Sequence, residues 1–176
     1  MTPAPIYAGS FDPFTFGHAA VASGALKAFG NVTIAIGVNH RKKGLFTIEE
    51  RREIILDFYK GHTVATGVAV VSFDGLLVDF CKKLRAETNT DMNISLVRGL
   101  RAVSDFEQEM AIADANRRLD SAFQTIFIPT EANHAFVSSS VVKEIAANTR
   151  DPVRLLPYVP LSVAEKLLEK MWATGS

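Results

Sequence analysis

Cysteine is almost missing from this chain of 176 residues, which contains only Cys81. A single thiol can form neither a disulfide within the chain nor a zinc site made of cysteines, and we expect Cys81 to pack as a buried apolar group. No apolar run approaches the ~18 residues of a membrane-spanning helix, and the first residues do not resemble a secretion signal. We therefore expect a cytoplasmic protein with no membrane partner.

The chain also has no net charge, because 19 basic residues balance 19 acidic ones. A neutral chain lacks the overall attraction that draws basic proteins to nucleic acid, so no nucleic-acid partner is expected. Hydrophobic residues make up 48% of the sequence and charged residues 22%, as in ordinary globular proteins. The length suits one domain, which we predict to span residues 1–176.

Short apolar runs rich in Val and Ile alternate with amphipathic stretches. Near-continuous apolar runs are typical of parallel strands that are covered on both faces, so the alternation predicts an α/β fold with a doubly wound, parallel, five-stranded sheet and C-terminal helices. The predicted strands are Ile6–Ala8, Val32–Val38, Val64–Ser72, Ile94–Val97 and Phe123–Ile128. The predicted helices are His18–Phe29, one that begins after Thr47, Leu76–Ala86, Asp105–Leu119, Ser139–Ala147 and Val163–Ala173.

Three of these helices carry a start signal, a Ser or Thr followed three residues later by Glu. This pattern predicts a capping box, in which the two side chains satisfy backbone N–H groups at the helix start. The predicted pairs are Thr47 with Glu50, Ser104 with Glu107, and Ser162 with Glu165. Gly30 is expected to end the first helix.

Four polar segments follow predicted strands and should therefore gather at one edge of the sheet. Ligands of open α/β sheets bind beyond the carboxyl ends of the strands, which makes this edge the candidate site. The segments are Gly9–His18, His40–Lys43, Arg98–Arg101 and Ser138–Ser140.

The first of these segments fits neither the dinucleotide-binding fingerprint nor the P-loop. Gly9 allows a sharp turn after the strand, and Gly17 allows a ligand to approach the helix start, where N–H groups favour anions. His18 could point at the same anion. The alternative is an ordinary histidine near a helix end.

Two arginines and three serines offer further phosphate-binding groups. Arg98 and Arg101 can present planar donors to phosphate oxygens, or they can form structural salt bridges with Asp105 or Glu107. The segment Ser138–Ser140 can cap a helix or donate to a phosphate.

Together these residues carry a resemblance to a known family. The segment Gly9–His18 resembles the T/H-x-G-H signature of the nucleotidylyltransferase superfamily. Lys42 and the segments Phe46–Arg51, Arg98–Glu107 and Val137–Ser140 resemble the bacterial phosphopantetheine adenylyltransferases, and the resemblance covers essentially the whole chain. Departures are Ser10 in place of the usual threonine, a longer stretch at residues 86–93, and His134 where a bulky aromatic is common.

The resemblance implies reversible transfer of an adenylyl group from ATP to 4′-phosphopantetheine, which forms dephospho-coenzyme A and pyrophosphate. The substrate phosphate would attack the α-phosphorus of ATP directly and in line, and Mg²⁺ would arrive on the ATP phosphates rather than on protein ligands. A homohexamer and feedback binding of coenzyme A are also implied.

The resemblance further implies roles for individual residues. His18, as stabiliser of the transition state, and Lys42 would be catalytic. Ser10, Lys42, Leu77 and Arg98 would bind phosphopantetheine. The residues implied to bind ATP are Ser10, Phe11, His18, Gly99, Leu100, Arg101, Glu109, His134, Ala135, Phe136, Val137, Ser138, Ser139 and Ser140.

Two other functions remain open at this stage. The chain could adenylylate nicotinate or nicotinamide mononucleotide, a reaction of the same superfamily. It could also be a nucleotide-binding α/β module without catalytic activity.

Overall fold

The computed structural model describes residues 5–38, 43–60, 66–87, 94–101, 103–130 and 136–173. Strands and helices alternate along the chain as far as the fifth helix. The strands are β1 (Ile6–Gly9), β2 (Val32–Val38), β3 (Val68–Asp74), β4 (Ile94–Leu100) and β5 (Phe123–Pro129). The helices are α1 (Phe16–Phe29), α2 (Ile48–Tyr59), α3 (Leu77–Glu87), α4 (Val103–Leu119), α5 (Ser139–Ala147) and α6 (Leu161–Ala173), with a 3₁₀ turn at Pro152–Leu155. Within these ranges, no helix has the length and apolar character to cross a membrane.

The five strands form one parallel sheet in the order β3-β2-β1-β4-β5. In register, Ile6 of β1 lies beside Thr33 of β2 on one side and Leu96 of β4 on the other. The chain thus builds outward from β1 to β3, then crosses back and builds outward again from β4. This reversal opens a crevice beyond the carboxyl ends of β1 and β4, where α/β proteins bind ligands. The predicted doubly wound α/β fold is confirmed.

Apolar side chains on the two faces of the sheet form two separate cores. Tyr7 belongs to the larger core, which also contains buried residues of α1, α2, α5 and α6, whereas its neighbours Ile6 and Ala8 belong to the smaller core beneath α3. This alternation follows from the two-residue period of a strand. Cys81 is fully buried in the smaller core, as predicted, and burial raises the pKa of its thiol to about 12.

Element ends differ from the sequence prediction mainly where the site is formed. Strand β4 continues to Leu100 rather than Val97, and α1 begins at Phe16, two residues before the predicted start. Strand β3 covers Val68–Asp74 rather than Val64–Ser72; residues 64 and 65 lie outside the described residues.

The capping box predicted at Thr47 forms. Thr47 accepts from the N–H of Glu50, and the Glu50 carboxylate accepts from the N–H of Thr47. The prediction at Ser162 is wrong, since Ser162 is the second residue of α6 rather than its cap, and the side chain of Ser104 lies outside the described residues. Gly30 ends α1 in the left-handed conformation, with φ of 77°.

Candidate active site

A cavity of about 230 Å³ lies at the crevice between β1 and β4. It is formed by the ends of these two strands, the loop from β1 to α1, the start of α1, one residue of α4, and single residues that follow β5 and precede α5. The lining residues are Tyr7, Ala8, Gly9, Ser10, Phe11, Gly17, His18, Val21, Arg98, Gly99, Arg101, Glu109, Thr130 and Val137. The structure therefore brings together eight residues that the sequence assigned to the site: Ser10, Phe11, His18, Arg98, Gly99, Arg101, Glu109 and Val137.

The loop from β1 to α1 turns sharply at Phe11, whose φ is +47°. A residue with a side chain adopts this left-handed conformation at a cost of about 1–2 kcal/mol, and such residues concentrate at functional sites. The ring of Phe11 is buried and packs edge-on against Tyr7 and His18, with centroid distances of 5.2 Å in both cases. Gly9 makes room for this ring, since a Cβ at Gly9 would lie 2.9 Å from it. This packing fixes the position of the Phe11 ring that the imidazole of His18 contacts.

His18 is held in place by a capping box with Thr15, the N-cap residue of α1. The hydroxyl oxygen of Thr15 accepts from the backbone N–H of His18 at 3.5 Å, and Nδ1 of His18 accepts from the backbone N–H of Thr15 at 3.1 Å. The Thr15 hydroxyl also lies 2.9 Å from Nδ1. The imidazole thus takes the place that Glu or Gln holds in the usual capping box.

This box determines which nitrogen of His18 can donate. A backbone N–H is always a donor, so Nδ1 must carry its lone pair and the proton of the neutral ring sits on Nε2. Burial and the charge of Arg101 lower the pKa of His18 from 6.5 to about 4, so the ring is neutral at pH 7. His18 therefore lines the cavity as a neutral N–H donor.

Both arginines at the end of β4 pair with acidic side chains of α4. Glu109 accepts from Nε and Nη2 of Arg98 at 2.5 and 2.9 Å, and Asp105 accepts from Nε of Arg101 at 3.1 Å. The salt-bridge alternative was therefore correct for Arg101 with Asp105, and Arg98 pairs with Glu109 rather than with Glu107. Both guanidinium groups nevertheless line the cavity. The two parallel hydrogen bonds to Glu109 fix the orientation of the planar guanidinium of Arg98.

Tyr7 and Thr130 line the cavity although the sequence did not assign them to the site. Tyr7 is 7% exposed, and burial raises the pKa of its hydroxyl above its usual value. Thr130 donates through its N–H and its hydroxyl to the carbonyl of Leu100 at 2.9 and 3.1 Å. In the sequence, Tyr7 had the pattern of a core residue in a strand, and Thr130 that of a loop residue, so neither carried a signal.

The serine segment lies beside this cavity. Ser138 caps α5 by accepting from the N–H of Val141, as predicted, and Ser139 donates to the carbonyl of Pro13 at 2.8 Å. Ser139 and Ser140 line an adjoining cavity of about 660 Å³, which also has Ser10 in its wall. The two cavities therefore share Ser10.

Four other assigned residues line neither cavity. Leu77 begins α3 and packs against the smaller core, the carbonyl of Leu100 accepts from Thr130, and Phe136 is 81% exposed. Ser138 acts in the helix cap. Lys42, His134 and Ala135 lie outside the described residues. The roles assigned to all of these by resemblance stay predictions.

Known proteins resemble this chain both in sequence and in fold. The family model described as cytidylyltransferase-like matches residues 6–145. The chain is 42% identical to the phosphopantetheine adenylyltransferase of Flavobacterium psychrophilum, over 86% of this chain and 93% of the relative. It is 41% identical to the phosphopantetheine adenylyltransferase of Staphylococcus saprophyticus, over 92% of both chains.

Among solved structures, the chain resembles the nicotinic acid mononucleotide adenylyltransferase of Plasmodium falciparum complexed with NaAD. The TM-score is 0.68 at 15% identity, and the match covers 97% of this chain and 96% of that one. At this identity the likeness supports the fold alone.

We predict that His18 makes stability fall as the pH is lowered through a defined window. The unfolded chain takes up a proton at His18 near pH 6.5, whereas the native chain does so only near pH 4. Between these values the unfolded state binds more protons, so stability drops by at most about 1.4 kcal/mol per pH unit on acidification. Above pH 6.5 this residue has no effect on the slope.

Denaturant unfolding of the natural protein and of His18→Asn between pH 7 and pH 4 measures this effect. The variant should show the flatter profile. Equal slopes for the two proteins would show that His18 titrates normally.

Proposed function

Because the chain belongs to the phosphopantetheine adenylyltransferase family, a cytidylyltransferase-like family, we propose that it transfers an adenylyl group from ATP to 4′-phosphopantetheine. The observation that carries this proposal is the cavity between β1 and β4, where a neutral histidine N–H and two fixed guanidinium groups converge. The products are dephospho-coenzyme A and pyrophosphate.

The reaction is a single displacement at phosphorus. An oxygen of the phosphopantetheine phosphate attacks the α-phosphorus of ATP, a new O–P bond forms, and the bond between the α-phosphorus and the bridging oxygen breaks as pyrophosphate leaves. Phosphoryl transfers of this kind depend on positioning and charge stabilisation rather than on covalent chemistry by the protein. Holding the two phosphates in line can contribute ~7–11 kcal/mol to the lowering of the barrier.

His18 stabilises the charge that develops on the α-phosphate. Its Nε2–H is the free donor of the ring, because Nδ1 is occupied by Thr15. A preorganised donor aimed at a developing charge is worth more inside a cavity than in water. A neutral donor also leaves the substrate phosphate unneutralised and therefore nucleophilic.

Arg98 contacts the phosphopantetheine, and Ser10 together with Lys42 holds its attacking phosphate. Glu109 accepts from Nε and Nη2 of Arg98, and the carbonyl of Ala8 accepts from Nη1 at 3.4 Å. Each Nη nitrogen carries two hydrogens, so Nη1 keeps one hydrogen to donate to a ligand. Leu77 contributes to the binding of the pantetheine arm.

ATP is held by residues at the ends of β1 and β4 and by the segment before α5. Gly99 allows α1 to pack closely against β4 at this point, since a Cβ at Gly99 would lie 2.5 Å from Val21 Cγ2. The ATP-binding residues are Ser10, Phe11, His18, Gly99, Leu100, Arg101, Glu109, His134, Ala135, Phe136, Val137, Ser138, Ser139 and Ser140.

Mg²⁺ enters on the phosphates of ATP and neutralises part of their charge. No group of three or more His, Cys, Asp or Glu side chains that could hold a metal occurs among the described residues. The two carboxylates nearest the cavities, Glu109 and Asp12, are each engaged by cations of the chain. Residues such as Arg98 and His18 would therefore contact the phosphates and not the ion.

The chain forms a single domain over residues 1–176 and works in the cytoplasm. It assembles as a homohexamer, and it binds coenzyme A as a feedback ligand. Apolar side chains of α4 support self-association, since Phe106, Met110 and Ile112 are 36–46% exposed. Met110 also lies beside Phe127 of the edge strand β5 in an open surface groove.

The first prediction from this function concerns the identity of the second substrate. With ATP and Mg²⁺, the protein should release pyrophosphate when phosphopantetheine is added, and only at background rate with nicotinate or nicotinamide mononucleotide or with no second substrate. Release with a mononucleotide alone would assign the chain to the mononucleotide adenylyltransferases. Release with neither would leave a nucleotide-binding module.

The second prediction separates His18 from Arg98. His18→Ala should lower kcat by roughly 10²–10³ with little effect on ATP affinity, because its donor acts on charge that grows in the transition state. Arg98→Ala should mainly raise the KM for phosphopantetheine, because a guanidinium that holds the substrate acts in both states. Steady-state kinetics and calorimetric ATP binding measure the two effects. A near-normal kcat for His18→Ala would show that this residue only helps to form the helix start and has no part in the reaction.

The third prediction concerns assembly. Light scattering at micromolar concentration should give the mass of six chains, and Met110→Asp should reduce it by placing a charge on the exposed face of α4. Leu56→Asp, at a residue of α2 that is 40% exposed, is the matched control and should keep the mass. A monomeric mass for the natural protein would overturn the proposal.

A further inference from the structure

A buried carboxylate next to the candidate active site is left unexplained by the reaction. Asp12 is 6% exposed and lies between Ser10 and His18 in the loop that leads into α1. Asp12, Thr15 and Arg51 are the buried polar residues among those described, and Thr15 is already accounted for by the capping box. The remaining two, Asp12 and Arg51, contact each other.

Four donors from three separate parts of the chain converge on Asp12. The backbone N–H groups of Leu45 and Phe46 donate to Oδ2 and Oδ1 at 3.0 and 2.9 Å. Arg51 Nε of α2 lies 3.4 Å from Oδ1, and Lys143 Nζ of α5 lies 3.3 Å from Oδ2. Burial alone would raise the pKa of Asp12, but these donors outweigh it and lower the pKa. The carboxylate is therefore charged at neutral pH.

Arg51 also links the loop after β1 to the segment that contains Phe46. Its Nε donates to the carbonyl of Phe46 at 2.9 Å and its Nη1 to the carbonyl of Ser10 at 3.1 Å. Gly44 leaves space for the guanidinium, since a Cβ there would overlap Arg51 Nη2. Asp12 and Arg51 together thus join the backbone at Ser10 to the backbone at Leu45 and Phe46.

The joined segments face each other across the adjoining cavity. Ser10 and Asp12 line one side, the segment from Lys43 to Phe46 lines another, and Ser139, Ser140 and Lys143 lie on α5. Asp12 supplies one negative charge against the two positive charges of Arg51 and Lys143, so the cluster keeps a surplus positive charge beside the cavity. Such a wall favours a phosphate group.

We propose that Asp12 is a positioning residue, which fixes the segment Lys43–Phe46 relative to Ser10 so that the attacking phosphate of the second substrate is held in line with ATP. This rests on the proposed adenylyl transfer, in which Ser10 grips that phosphate and Lys42 directly precedes the segment. Asp12 acts through the backbone of Leu45 and Phe46 and does not itself touch either substrate. A displacement of about 1 Å in such a site costs on the order of 10²-fold in rate.

The test variant is Asp12→Asn, which keeps the size of the side chain. An amide offers one oxygen and one NH₂ group, and since Leu45 and Phe46 donate to different oxygens of Asp12, the amide oxygen can replace only one of them. Whichever way it turns, a donor faces a donor at the other contact, and Arg51 loses its counter-charge. We expect kcat to fall roughly 10- to 100-fold and the KM for phosphopantetheine to rise several-fold, with ATP affinity in the absence of the second substrate unchanged within about twofold.

Asp120→Asn is the matched control. Asp120 also accepts from a backbone N–H, that of Ala122 at 2.9 Å, and from an arginine, Arg85 at 3.2 Å. It precedes β5 and so lies at the opposite edge of the sheet from the cavities. This variant should lose stability and keep normal kinetics. Arg51→Lys serves as the second variant should Asp12→Asn not fold, with the same kinetic pattern in a weaker form.

Amide hydrogen exchange of Leu45 and Phe46 gives a readout that needs no substrate. Both amides should be protected in the natural protein and exchange faster in Asp12→Asn, while Asp120→Asn leaves them unchanged. If the natural protein proves inactive with phosphopantetheine, the proposed function fails while the exchange result still decides whether Asp12 holds the segment. Normal kinetics for Asp12→Asn, an equal loss of ATP affinity, or unchanged exchange would overturn the positioning role.

Discussion

The reciprocal contact between Thr15 and His18 is the interaction on which the site depends. It begins α1, since each residue satisfies a backbone N–H of the other, and it turns the imidazole so that Nδ1 faces the backbone. The same contact leaves Nε2–H as the free donor of the ring at the cavity. The helix start and the free N–H donor at the cavity thus depend on the same pair of side chains.

The sheet topology places the remaining groups around that donor. Because the strand order reverses between β1 and β4, the ends of these strands part and leave room for a ligand. Arg98 and Gly99 then arrive beside the loop that carries Ser10 and His18, and α4 returns Glu109 to fix the guanidinium of Arg98. Asp12, Thr15 and Arg51, the buried polar side chains of the described part, all make hydrogen bonds in or to the loop after β1 and so hold its conformation.

Local patterns in the sequence predicted the elements and the edge of the site, but not the contacts that shape it. The bounds of Val32–Val38 and Ser139–Ala147 were predicted to the residue. A continuous apolar run marks the strand, and the serine cap marks the start of the helix. The box of Thr15 with His18 escaped prediction, since histidine is not the usual third residue of that motif, while Ser162 carried the usual motif but is the second residue of α6 rather than its cap. The pairing of Asp12 with Phe46, 34 residues away, has no local signal at all.

His18 faces the cavity as a neutral ring with its proton on Nε2. Nitrogen-15 NMR of imidazole-labelled protein, with His18 assigned by comparison with His18→Asn, reports the protonation of each nitrogen directly. At pH 7 we expect a protonated Nε2 and an unprotonated Nδ1, and the ring should stay neutral down to about pH 5, above its pKa of about 4. A protonated Nδ1 at pH 7, as the other tautomer or as imidazolium, would contradict it.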